Sequence, residues 1–170
     1  MRKLITTVAL LLAAPALASA QNADHQYRGQ GYFFFGLGTA TGGYINPFIE
    51  HVGGGGEMFV YKGFGMGAEA GYAHWGRGYA QAWIASGDLS YHFRRSAKRG
   101  GVDPFVLIGV TGYFPTSQGR GEPAGNFGGG VNLWLAEHAA LRLEVRDHVP
   151  DYDMTNGNHY ISFRIGVTFR

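Results

Sequence analysis

The last twelve residues, His159 to Arg170, constrain the fold most, because their side chains separate into two unlike faces. Successive side chains of a β-strand point to opposite sides. One face of this stretch would be uniformly apolar, whereas the other is polar and carries Arg164. Such a strand fits a soluble sandwich, with its apolar face on a core, or a membrane barrel, with that face toward lipid. The apolar face consists of Ile161, Phe163, Ile165, Val167 and Phe169.

The rest of the chain contains similar segments, separated by turn residues, and no convincing amphipathic helix. Most of these segments exceed the usual strand length of about 5–6 residues in globular proteins. A tilted strand that crosses a membrane needs about 9–11 residues, so the lengths favour a membrane barrel. We predict eight strands, at Gly31–Thr39, Glu50–Tyr61, Phe64–Trp75, Gln81–Phe93, Asp103–Phe114, Asn126–Leu135, His138–His148 and Asn158–Phe169.

The connections between these strands alternate between short and long. Lys62-Gly63 and Ala136-Glu137 are short enough for two-residue hairpin turns. Short turns at one end and longer loops at the other are typical of outer-membrane barrels with both termini in the periplasm. The connection Arg94–Gly101 belongs to the short end; its four basic residues are interpreted as a solvated turn rather than an anion-binding patch. The longer connections are Thr41–Ile49, Gly76–Ala80, Pro115–Gly125 and Val149–Gly157.

The first twenty residues have the pattern of a cleaved secretory signal peptide. Arg2 and Lys3 precede an apolar segment, and Ala18-Ser19-Ala20 matches a cleavage site. Removing Arg2 and Lys3 from the 14 Lys and Arg residues leaves 12, which equals the 12 Asp and Glu residues. The charge balance therefore predicts no nucleic-acid partner. We expect residues 21–29 to be a periplasmic lead-in and residues 30–170 to form the barrel.

Alternation along the predicted strands separates an apolar outer face from a polar inner face. In His138–His148, Leu143 falls on the apolar side, and Arg142 and Glu144 fall on the polar side. A soluble lipocalin-like barrel would show the reverse, with an apolar pocket inside. Asp103–Phe114 is apolar on both faces, so its orientation stays unassigned. The predicted inner charges are four acids and three arginines, namely Glu57, Glu69, Asp88, Glu144, Arg142, Arg146 and Arg164.

Charges inside a protein are tolerated only when they are paired. We therefore predict that these seven side chains form a structural ion-pair network, which fills the lumen and leaves no open channel. Backbone groups in lipid must all be hydrogen-bonded, which requires a closed barrel. Aromatic residues near the predicted strand ends would form the girdles at the two membrane interfaces. These residues are Tyr61, Phe64, Trp75, Tyr79, Phe93, Trp134 and Phe169.

Chemical sites are the weaker interpretation. Asp88, Ser90 and His92 lie on one face of one strand, which suggests an acid, a nucleophile and a base. A catalytic triad, however, normally converges from separate elements. The segment Asp151–Gly157 suggests a calcium loop, but its Gly is one position late and Ser162 replaces the terminal Glu. The chain also has no cysteine. We predict no catalytic residue, no metal site and no cofactor.

From Gly31 to Phe169 the chain resembles the small outer-membrane barrels of the OmpA/OmpX-like kind. The block NFGGGVNLWLAEHAALRLEVRDH, Asn126 to His148, carries the resemblance most strongly. The resemblance implies an all-β, eight-stranded antiparallel up-and-down transmembrane barrel with a charge-paired interior. The closing strand resembles the signal read by the barrel-assembly machinery, although Arg170 follows the final aromatic residue. The signal positions are Phe163, Ile165, Val167 and Phe169.

The predicted function is that of an outer-membrane barrel in a Gram-negative envelope. Its role would be structural, in envelope integrity, or interactive, through external loops that contact a surface partner or ligand. A narrow, porin-like pore and an outer-membrane lipid-modifying enzyme are the alternatives. The expected partners are outer-membrane lipid, lipopolysaccharide and, during biogenesis, the barrel-assembly machinery.

Overall fold

The computed structural model describes residues 28–41, 47–76, 80–93, 99–117, 121–150 and 159–170. Eight antiparallel strands form a closed barrel, in which each strand pairs with its neighbours in sequence and β1 pairs with β8. The predicted up-and-down barrel is therefore confirmed. The strands are β1 Gly29–Thr41, β2 Phe48–Tyr61, β3 Phe64–Trp75, β4 Ala80–His92, β5 Val102–Pro115, β6 Glu122–Ala136, β7 Ala139–Pro150 and β8 His159–Phe169.

Strand bounds agree with the sequence prediction to within a few residues, and the largest difference is at the start of β6. The prediction begins this strand at Asn126, whereas the structure begins it at Glu122, which pairs with Tyr113. The four added residues, 122–125, include Pro123 and Gly125, and the sequence prediction therefore placed them in a loop. In the structure they pair with residues 110–113 of β5. Several predicted features lie outside the described residues: the signal peptide, Tyr79, Arg94–Lys98 and Asp151–Gly157.

The two ends of the barrel differ in their connections. Both ends of the strand series, Gly29 and Phe169, lie at the end that carries the short turns, which we call the turn end; the opposite end is the loop end. In the β2–β3 turn, Lys62 and Gly63 have φ angles of 37° and 94°, as a tight primed turn requires. The β6–β7 turn is one residue later than predicted, because a register shift lets β6 continue to Ala136.

The outer wall of the barrel is apolar and exposed. Phe33 is 66% exposed, Ile108 63% and Val110 70%. Apolar surface on this scale marks contact with a membrane or a partner. On β5, whose faces the sequence leaves unassigned, Asp103 and Phe105 point inward, so the alternation holds here too. Among the described residues, no helix is long and apolar enough to cross a membrane.

Two of the residues predicted for the interfacial girdles lie elsewhere. Trp134 is on the inner face of β6 and almost completely buried. Trp75 is partly buried and packs against apolar residues inside the loop end. Both were assigned from their nearness to a strand end, which does not tell the inner face from the outer face.

Arg170 closes the turn end after the last strand. Its backbone N–H donates to the carbonyl of His138 at 3.4 Å, and its Nε donates to the carbonyl of Glu137 at 2.5 Å. Its guanidinium carbon lies 5.0 Å from the centre of the Trp134 ring. Arg170 therefore ties the end of β8 to the β6–β7 turn.

The expectation that the outer wall faces lipid can be tested at Ile165, in the middle of the apolar face of β8. Ile165→Arg should destabilise the folded barrel by about 2–4 kcal/mol in a bilayer, because a guanidinium near the midplane loses its hydration. Ile161→Arg, nearer the loop end, is the matched control and should cost only about 0–1 kcal/mol. The measurement is denaturant unfolding in lipid vesicles. Equal costs at the two depths would mean that this face does not meet hydrocarbon.

Candidate functional site in the barrel lumen

The structure places all seven predicted inner charges inside the barrel. Each is at most 8% exposed. Their placement follows from strand alternation, since inward positions recur every second residue along each strand. On β7, for example, Arg142, Glu144 and Arg146 point inward in succession. The seven residues are Glu57, Glu69, Asp88, Arg142, Glu144, Arg146 and Arg164.

Glu144 contacts all three lumen arginines. Its Oε2 accepts from Arg142 Nε at 2.9 Å, and its Oε1 accepts from Arg146 Nε at 2.7 Å. Arg164 Nη1 donates to the same Oε1 at 3.3 Å. Hydrogen bonds between ionised groups are the stronger kind, and one carboxylate here joins guanidiniums from two adjacent strands.

Arg146 and Arg164 extend across the lumen. Arg146 on β7 donates from Nη1 to Asp88 Oδ2 on β4 at 2.9 Å. Arg164 on β8 donates from Nη1 to Glu69 Oε1 on β3 at 2.9 Å. A second contact, 3.6 Å between Arg146 Nη2 and Glu69 Oε2, joins the two bridges. Because these strands are not neighbours in the barrel, the bridges cross the space that a pore would need.

Arg142 lies beside this network rather than at its centre. Apart from Glu144, its guanidinium contacts two rings, with its carbon 4.4 Å from the centre of Tyr32 and 4.0 Å from that of Phe105. A desolvated cation against aromatic faces is stabilised by the ring quadrupole. Sequence reasoning could place Arg142 on the inner face, but it could not identify these aromatic partners.

A second polar cluster lies nearer the turn end and is centred on His92. His92 Nδ1 is 2.8 Å from Asp103 Oδ2, and Nε2 is 3.2 Å from both carboxylate oxygens of Glu57. Gln30 Nε2 donates to Glu57 Oε2 at 2.8 Å, and the Ser90 hydroxyl donates to Glu57 Oε1. The prediction missed Asp103, because its strand is apolar on both faces; only the pairing of β4 with β5 brings it beside His92.

The acidic and basic groups of the described lumen are not equal in number. Asp103 adds a fifth carboxylate to the four predicted acids, whereas the described lumen arginines remain three. Unpaired charge is costly in a low-dielectric interior. His92 lies between two carboxylates, so a protonated imidazolium at this position would offset part of the excess negative charge.

The row Asp88, Ser90 and His92 points inward, but it does not form a catalytic triad. The hydroxyl of Ser90 and Nε2 of His92 are both directed at Glu57 rather than at each other. Asp88 accepts instead from Arg146 and from Asn126 Nδ2, the latter at 3.0 Å. The lumen cavity next to them has a volume of about 10 Å³, which suits one water molecule. A lipid substrate does not fit there.

An apolar layer closes the lumen at the loop end. Ile49, Ala73, Ile84 and Tyr160 pack together there, with Trp75, Tyr113 and Ala40 against them. The ring of His148 stacks on Tyr160, with centroids 5.1 Å apart. The sequence prediction assigned Ile49 to a loop, so this layer was not foreseen. In the described part of the chain, no group of three or more His, Asp or Glu side chains could hold a metal ion.

Comparison with known proteins identifies the fold. No protein-family model and no curated protein sequence matches the chain. The N-terminal β-barrel domain of Pseudomonas aeruginosa OprF is similar, with a TM-score of 0.60 and 17% identity over 83% of this chain and 96% of that chain. Neisserial surface protein A gives 0.66 and 8% over 86% and 99%. The outer membrane enzyme PagL gives 0.53 and 11% over 82% and 99%. The shared fold is thus that of small eight-stranded outer-membrane barrels.

The lumen bridges can be tested by a double-mutant cycle on Arg146 and Asp88. Arg146→Met leaves Asp88 and Glu144 with one cation fewer, and losing one partner of a buried pair costs about 3–5 kcal/mol. Adding Asp88→Asn should recover part of this loss, with a coupling of about 0.5–3 kcal/mol. The measurement is the free energy of unfolding in detergent micelles or lipid.

The matched control is the cycle of Arg142→Met with Asp88→Asn. These two described side chains form no hydrogen bond or ion pair with each other, so their coupling should be smaller. Simple additivity of the Arg146 and Asp88 changes would show that the bridge across the lumen does not stabilise the barrel.

Proposed function

We propose that this chain is an integral outer-membrane protein whose barrel is a closed scaffold and whose longer loops form a contact surface outside the cell. The observation that carries the proposal is that Arg146 and Arg164 form ion pairs across the lumen. An apolar layer lies at the loop end of the same lumen, and the outer wall is apolar. Such a barrel suits anchoring and display, because solute has no path through the described interior.

The outer-membrane location is supported by three independent features. The strands are 11 to 15 residues long, enough to cross a bilayer at a tilt. The exposed wall is lined with large apolar side chains. The fold neighbours are bacterial outer-membrane proteins. By the usual arrangement of such barrels, the turn end with both termini faces the periplasm and the loop end faces outward.

A pore and an enzyme are the other candidate functions, and neither has a specific observation in its favour. A pore needs a continuous aqueous path, which the contacts of Arg146 and Arg164 block midway. PagL is an enzyme with the same fold, but here Ser90 and His92 point into the lumen and contact Glu57. Lipid outside the wall has no access to them.

Single-cysteine labelling tests the location and the sidedness together. The chain contains no cysteine, so Ser117→Cys at the loop end and Glu137→Cys at the turn end each introduce one thiol. A membrane-impermeant maleimide should label Ser117→Cys in intact cells, and Glu137→Cys only after the outer membrane is permeabilised. If only Glu137→Cys were labelled in intact cells, the turn end rather than the loop end would face outward. If both cysteine variants were recovered in the soluble fraction, the membrane location would be contradicted.

A further inference from the structure

A buried histidine lies between two buried carboxylates at the turn end of the lumen. Nδ1 of His92 is 2.8 Å from Asp103 Oδ2. Nε2 of the same ring is 3.2 Å from both carboxylate oxygens of Glu57. All three side chains are shielded from solvent. Each ring nitrogen of His92 therefore faces a different acid.

These contacts indicate which form of the ring the folded barrel holds. An ionised carboxylate can only accept hydrogen bonds, whereas a neutral imidazole has a single N–H to donate. With a neutral His92, one of the two contacts would set a nitrogen lone pair against a carboxylate oxygen. A proton on Glu57 or Asp103 would also complete the contacts, but imidazole is a stronger base than either carboxylate. The geometry therefore favours a ring with both nitrogens protonated.

A second lumen histidine has the opposite kind of partner. His51 is also buried, and its Nδ1 lies 3.1 Å from Nη2 of Arg164. A guanidinium carries only donors, so Nδ1 of His51 must accept and its ring is neutral. The two histidines share the same lumen, and their different partners give them different charges.

The contact of His92 with Glu57 joins strands that do not pair with each other. His92 belongs to β4 and Glu57 to β2, and β3 lies between them. Gly65 on β3 makes room for the contact, because an added Cβ there would overlap Oε1 of Glu57 and lie 2.5 Å from Ser90 Oγ. Gln30 on β1 donates to the same carboxylate at 2.8 Å. One imidazolium–carboxylate contact thus ties β1 and β2 to β4.

Aromatic rings enclose His92 and keep its proton away from bulk water. The ring of Phe105 on β5 stacks on it, with centroids 5.2 Å apart. Phe59 on β2 meets it edge-on at a centroid distance of 4.9 Å. The charge on the ring is therefore balanced by the two acids rather than by solvent.

The lumen arginines have other partners. Arg142 and Arg146 on β7 line one small cavity together with Glu57. Both of them, however, donate to Glu144. Loss of the proton from His92 would leave a single N–H for two buried carboxylates, and a buried charge that loses its partner is strongly unfavourable.

We propose that His92, Glu57 and Asp103 form a pH-dependent clamp at the turn end, closed when the His92 ring is doubly protonated and released when it loses one proton. Below about pH 6.5, the folded and the unfolded chain both hold this proton, and the clamp contributes its full stability. At higher pH the unfolded chain loses the proton first, so this stability is lost progressively as the pH rises. The clamp goes beyond the proposed scaffold role, because it makes the stability of the barrel respond to pH.

Unfolding of the refolded chain in detergent micelles, measured over a series of pH values, tests the clamp. Above about pH 6.5, the unfolding equilibrium constant of the wild type should rise about tenfold per pH unit relative to that of His92→Gln, as one linked proton requires. His51→Gln is the matched control at a buried lumen histidine and should keep the wild-type rise. The other histidines titrate in all three chains, so their effect cancels in the comparison.

A glycine variant tests the geometry of the clamp while keeping every ionisable group. Gly65→Ala displaces the carboxylate of Glu57 from the ring of His92, so the rise with pH should become smaller. Gly87→Ala is its control, because an added Cβ at Gly87 meets nothing within 4 Å. This control should show the same rise as the wild type.

Nitrogen-15 NMR of the histidine-labelled wild type measures the charge of the ring without any variant. About one pH unit above the ordinary histidine value, a ring in contact with Phe59 and Phe105 should show two protonated nitrogens. A neutral ring at this position would overturn the clamp. Equal pH dependence of unfolding in the wild type and in His92→Gln would overturn it as well.

Discussion

The paired charges inside the lumen are the interaction on which the rest of the structure depends. Glu144 accepts from Arg142, Arg146 and Arg164, and the last two reach acids on the far side of the barrel. The outer wall is largely apolar, and the buried charged side chains of the strands lie in the interior. Five carboxylates would repel one another in that space without the arginines between them. The network therefore holds the interior together and, by the same contacts, closes it.

The glycines of the chain make room for this interior. An ideal Cβ at Gly53 would lie 2.7 Å from the ring of Phe34, and one at Gly130 would lie 2.8 Å from the ring of Phe105. Real Cβ atoms do not approach so closely, so both positions require glycine while those rings stay in place. Phe34 in turn lies 4.3 Å from the guanidinium carbon of Arg164. Glycine on one strand thus lets an aromatic ring from the next strand support a buried cation.

Much of this arrangement could be predicted from the sequence, because a strand has a fixed side-chain period of two. Alternation within segments bounded by turn residues predicted the eight strands, the outer apolar side of β8 and the inward direction of the seven charged residues. Alternation could not predict which lumen side chains pair with each other, because contacts such as that of Arg146 with Asp88 depend on the strand order and the stagger of the strands around the barrel. Asp103 and Ile49 were missed for a related reason. Each lies near a strand end or in an apolar run, where the local pattern does not separate the inner face from the outer face.

Planar-bilayer conductance of the purified wild-type chain tests the closed lumen most directly. If Arg146 and Arg164 bridge the lumen as the contacts indicate, the inserted chain should produce no unitary current steps in neutral salt solution. Insertion would be established by protection of the strands from protease, and a trimeric porin would serve as the conducting control. Regular current steps from the intact wild-type barrel would contradict the closed lumen and would make a pore the better description of its function.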